Sequence, residues 1–127
     1  MNAAALAACG IDYEAGIRRC AEDPAFYEWL LSVFLEDTAF DRACAAREAG
    51  DARELFTSLH ELKGVAGNAA MTELYRAVCP VVELLRGGST DPAEIDRLFA
   101  PVQRAYARTC EGIQMAMDDG CTRGDAE

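Results

Sequence analysis

The 127-residue chain has one histidine, and its neighbours are spaced for chemistry. Lys63, Gly64 and Gly67 follow His60 by three, four and seven residues. On a helix of about 3.6 residues per turn, all four share one face. A solvated imidazole titrates at a pKa of about 6.5, so near neutral pH it offers a nucleophilic ring nitrogen. An ammonium one turn away attracts the oxygens of a phosphoryl group and offsets their charge. Glycines beside it keep the surface low, so another protein's backbone can approach the ring. Each glycine costs a helix interior about 1 kcal/mol relative to alanine. A helix built only for packing has little reason to bear that cost on its solvent side. Singly, a lone surface histidine, a solvated lysine or a packing glycine is the better reading of each residue. Their coincidence on one face points to phosphoryl chemistry.

The element that carries them is a helix starting at Asp51, with Glu54 as a capping-box partner. Its apolar stripe is Leu55, Leu59, Leu62, Ala66 and Ala69, and His60 lies one residue off it. His60 should therefore be exposed and Leu59 and Leu62 buried. Helical periodicity dominates elsewhere, with no alternating strand pattern. A short element is expected over Asp12 to Cys20, with Ile17 and Cys20 on one face. A second begins at Asp23-Pro24, buries Tyr27, Leu30, Leu31 and Phe34, and runs to Ala49, where Gly50 stops it. After the Asp51 helix, another spans Thr72 to Arg86 with Leu74, Val78, Val81 or Val82, and Leu85 inside. The last opens at Asp91-Pro92 and buries Ile95, Leu98, Val102, Ala105, Tyr106, Thr109 and Ile113. These predict an all-α fold, an antiparallel (up-down) four-helix bundle with a short extra N-terminal helix. Residues 1–9 read as a flexible lead-in, 10–117 as the bundle and 118–127 as a disordered tail.

Composition narrows the function. Acidic residues number 22 against 12 basic ones, a formal net charge of −10. That balance opposes nucleic-acid binding and contact with anionic lipid. No window resembles a membrane span of ~20 apolar residues, and the opening segment lacks the basic start of a signal peptide. The six cysteines form no C-x-x-C pair, and a single histidine makes no zinc set. They read as reduced structural thiols in a cytoplasmic protein. No Walker loop or other glycine-rich nucleotide loop is present, and no paired nucleophile or metal-ligand spacing suggests a hydrolase.

The run His60-Glu61-Leu62-Lys63-Gly64-Val65-Ala66-Gly67-Asn68-Ala69-Ala70 resembles the signature of histidine-containing phosphotransfer (HPt) domains, His-x-Leu-Lys-Gly-x-Ala with a small residue ten positions after the histidine. The resemblance extends over roughly residues 10 to 115, through Gly10-Ile11-Asp12, the Tyr27-x-x-Leu-Leu-x-x-Phe pattern, Gly50-Asp51, and Leu74 to Leu85. It implies a four-helix bundle in which His60 is the phosphoacceptor, Lys63 assists the phosphoryl group and Gly64 admits a receiver domain, with Gly67 and Ala70 on the docking side. Ala70 stands where the family usually has glycine, and Val78 to Val82 carry no polar side chain where the next helix commonly has one. The implied function is a phosphorelay intermediate between receiver-domain aspartates, a monomeric phosphocarrier without autokinase activity. Its partners would be response-regulator receivers or a hybrid sensor histidine kinase. It binds no cofactor itself, Mg²⁺ being held by the receiver. The alternative is a non-phosphorylated helical-bundle module that binds receiver or kinase domains. Arg53, Arg76 and Arg86 are expected to make the surface around His60 less acidic than the rest.

Overall fold

Short polar side chains set the helix starts in the computed structural model. The Asn2 side chain accepts the Ala5 amide to open α1 (Ala3–Ala8). Asp12, Asp23 and Asp51 do the same for α2 (Tyr13–Arg19), α3 (Pro24–Phe34) and α5 (Ala52–Asn68), each at 3.1 Å from the amide. Asp91 accepts the Ala93 amide as α7 (Pro92–Ala126) begins. Each aspartate satisfies an amide that the first turn leaves without an intrahelical partner. The remaining helices are α4 (Ala39–Ala49) and α6 (Thr72–Arg86). The structure describes residues 1–118 with their side chains. The backbone is described to residue 126, so of the stretch expected as a disordered tail at 118–127 all but the last residue belongs to α7, which ends at Ala126. The fold is all-helical, and no β-strand is present among the described residues.

Helices α4, α5, α6 and α7 pack in succession, each against the next. Aromatic stacking joins α4 to α7: the Phe40 ring lies 4.0 Å from that of Tyr106 and 6.1 Å from that of Phe99, near-parallel to both. Arg47 pairs with Asp96 at 3.0 Å and lies over the Phe99 ring. The core between these helices holds Leu55, Leu59, Leu62, Leu74, Val78, Val81, Val82, Phe99 and Val102. Tyr27 of α3 is also fully buried. Its ring fills the space that a side chain at Gly16 would take, and its hydroxyl donates to the Ala69 carbonyl at 2.6 Å.

Several elements differ from expectation. The opening residues are not a loose lead-in. They form α1, whose Leu6 is fully buried against the core, and the Arg108 guanidinium of α7 donates to the Ala8 carbonyl at 2.8 Å. Gly112 makes that approach possible, because a Cβ there would stand 2.5 Å from the Cys9 side chain. The helix expected from Asp23 to Ala49 is two helices. The amides of Leu35, Glu36 and Asp37 turn back to carbonyls three residues earlier, and the Asp37 carboxylate accepts the Ala39 amide at 2.7 Å. The break lets Phe34 and Phe40 both reach Tyr106. On one continuous helix, six residues apart, they would point about 120° away from each other. In α7, Phe99 is fully buried while Leu98 is only half-buried, a small rotation from the expected face, and Ile17 and Leu30 are likewise half-buried.

Candidate functional site

The stripe of α5 faces inward as its spacing requires. Leu55, Leu59, Leu62, Ala66 and Ala69 are buried, and His60 is exposed. Among the described residues neither ring nitrogen of His60 has a hydrogen-bond partner, and the residue as a whole is exposed. One turn on, Lys63 is half-buried and has no ion-pair partner among the described residues. Gly64 is exposed, and a Cβ built there would meet nothing within 4 Å.

His60, Lys63, Gly64, Gly67 and Asn68 line one shallow groove with Tyr75 of α6. No carboxylate lines it. The nearest acidic neighbour in sequence, Glu61, is paired with Arg42 of α4 at 2.6 Å. At one end the Arg19 guanidinium donates to the Gly67 carbonyl. At the other, the Arg86 guanidinium lies 5.7 Å from the centre of the Phe56 ring, and that ring stacks on the imidazole. Phe56 and His60 are four residues apart on α5, with ring centres 5.6 Å apart and planes inclined by only 7°. Within a molecule of net charge −10, this groove therefore carries a lysine and is flanked by two arginines.

The expected residues separate. His60, Lys63, Gly64 and Gly67 do share one surface. Gly67 is less open than Gly64, since a Cβ there would come within 3.2 Å of the Tyr75 ring. Ala70 is 3% exposed and does not line the His60 groove, but it borders the adjoining one with Arg19, Gly67, Thr72 and Tyr75. It takes a left-handed turn conformation at φ 56°, with its carbonyl accepting the Asp12 amide at 2.9 Å. That conformation gives a backbone reason for a glycine preference at this position, independent of any partner. Of the three arginines expected near the site, Arg86 is there. Arg76 instead lines a separate groove with Gly10, Tyr13 and Glu73. Arg53 is exposed, two turns before His60 on α5.

Sequence reasoning missed Phe56, Asn68 and Tyr75. Phe56 was available from its spacing, since it precedes His60 by one turn and lies beside the apolar stripe. Tyr75 depends on the rotation of α6 against α5. Val78, Val81 and Val82 turn into the core, so the next helix presents Tyr75 to the groove rather than any residue of the 78–82 stretch.

The cysteines at 9, 20, 44, 79 and 110 are free thiols, and burial pushes those of Cys44 and Cys110 up in pKa. No group of three or more His, Cys, Asp or Glu side chains among the described residues is placed to hold a metal ion. No described helix is long and apolar enough to cross a membrane. Comparison with protein-family models, with curated proteins and with solved structures gives no significant match.

Proposed function

We propose that this chain is a histidine phosphotransfer domain, an antiparallel four-helix bundle of α4 to α7 with the shorter α1, α2 and α3 packed against it. The observation that carries the reading is the exposed imidazole of His60, with Lys63 one turn away, beside a glycine whose side-chain space is empty. A groove lined by a cation and no carboxylate also suits the acidic rim of a receiver's active site.

In the forward step the lone pair of a His60 ring nitrogen, Nε2, attacks the phosphorus of an aspartyl phosphate on the receiver. The P–O bond to the aspartate breaks and the carboxylate leaves with its electrons. A P–N bond forms while the proton on Nδ1 stays in place. Lys63 offsets charge on the phosphoryl oxygens. Mg²⁺ belongs to the receiver, which also supplies most of the electrostatic stabilisation. The reverse step delivers the phosphoryl group to another receiver aspartate. The chain acts as a cytoplasmic, monomeric phosphocarrier with no kinase activity of its own, fed by a response regulator or a hybrid sensor kinase.

The test mixes a panel of aspartyl-phosphorylated receivers with the parent chain, with His60→Gln and with Lys63→Ala. The parent should acquire an acid-labile, alkali-stable phosphoryl group and His60→Gln none. Lys63→Ala should slow transfer by roughly 10²–10³ without abolishing it, the range for loss of one positioned charge. If His60→Gln is labelled as well as the parent, the chain is instead an interaction module that binds receiver or kinase domains without phosphotransfer.

A further inference from the structure

A histidine that must attack in line needs its ring plane held, and no polar side chain holds that of His60. The structure supplies a different restraint. The Phe56 ring lies one turn before it at 5.6 Å between centres, and the two planes are within 7° of parallel. Phe56 is itself fixed. It is half-buried and packs against the core, and the Arg86 guanidinium of the next helix lies over its ring. Arg86 in turn pairs with Glu83 at 3.4 Å. A ring anchored on both α5 and α6 thus lies against an imidazole that is otherwise free.

We infer that Phe56 is a positioning residue, holding the imidazole plane of His60 by stacking where a hydrogen bond to the ring would otherwise do so. Stacking restricts rotation about the Cβ–Cγ bond while occupying neither nitrogen. One nitrogen can then carry the proton and the other can attack. Offset aromatic pairs at this separation are attractive enough to bias a surface side chain towards one orientation. Holding the attacking atom near its productive geometry raises the rate without a new contact to the phosphoryl group.

This inference rests on His60 being the phosphoacceptor, and the experiment separates the two claims. Phe56→Leu keeps apolar bulk and removes the ring, while Phe56→Tyr keeps the ring. Each full-length variant is first checked for an unchanged fold by its amide spectrum. NMR of the His60 imidazole should then show ring-proton shifts displaced by the neighbouring aromatic ring, and restricted ring motion, in the parent and Phe56→Tyr. Both features should be lost in Phe56→Leu. Phosphorylation by phosphoramidate needs no docked receiver. Its P–N bond breaks, ammonia leaves with the electrons, and a new P–N bond forms to His60. Phe56→Leu should slow this reaction roughly three- to tenfold, and Phe56→Tyr should stay within about twofold of the parent. An imidazole as mobile in the parent as in Phe56→Leu would overturn the inference, as would equal phosphorylation rates. If no variant and no parent accepts a phosphoryl group, the proposed function fails, and the NMR comparison still decides whether Phe56 holds the ring.

Discussion

Gly64→Ala should stabilise the protein and at the same time slow its exchange with receivers. Gly64 lies inside α5, and a Cβ there meets nothing within 4 Å, so the added methyl neither packs nor clashes. Only backbone entropy and helix propensity remain, and they favour alanine by about 0.8–1.0 kcal/mol. With a urea dependence of about 2 kcal/mol per molar, the unfolding midpoint should rise by roughly 0.5 M. Melting should rise by about 3–5 °C in a chain of this length. Gly67→Ala makes a useful control: its methyl would stand 3.2 Å from the Tyr75 ring, so part of the propensity gain is lost in moving that ring. For docking, Gly64→Leu is the sharper change, because leucine is a good helix former and its bulk projects entirely outward. Forcing that bulk into a close-packed interface costs about 1–3 kcal/mol, or roughly five- to a hundredfold in transfer from a receiver. Reaction with phosphoramidate should be nearly unchanged. Urea unfolding followed by circular dichroism, beside the two phosphorylation assays, reads all of this. A lower urea midpoint for Gly64→Ala would refute the open-face geometry. Receiver exchange by Gly64→Leu at the parent's rate would refute the docking role.

Two further outcomes follow from the packing. Leu6→Ala should cost about 2–5 kcal/mol in urea unfolding, as for a fully buried leucine, and a change within error of zero would show that α1 is not part of the core. Stability should also fall at alkaline pH. Burial, then the hydrogen bond to Glu28 and that carboxylate's charge, push the Tyr13 phenol up to about 12, and burial raises those of Tyr27 and Tyr106 as well. Unfolded tyrosines ionise near pH ~10, so above that the native state binds more protons than the unfolded chain, and its stability declines as pH rises towards about 12. Urea midpoints at several pH values across this window should fall less steeply in Tyr13→Phe than in the parent, and parallel curves would contradict the assignment.

What could be read along the chain is what depends on local periodicity. The α5 stripe needs only the spacing of Leu55, Leu59, Leu62, Ala66 and Ala69, and the same spacing puts His60 outside. The aspartates at 12, 23, 51 and 91 begin helices because each side chain serves an amide two or three residues ahead. Tertiary structure decided whatever depends on how one helix is rotated and set against another. The five alanines of α1 give no local sign that Leu6 is buried, and it is the packing of α1 on α7 that covers it. Asp37 can serve the Ala39 amide and so open a new helix, but that local signal does not by itself end the preceding one. The contacts of both Phe34 and Phe40 with Tyr106 are met only with the chain broken between them. Around His60, the face of α6 that meets α5 brings Tyr75 and Arg86 to the groove and leaves Arg76 elsewhere. Helical phase within one element follows from its own residues. The phase between two elements is settled only when their side chains interlock.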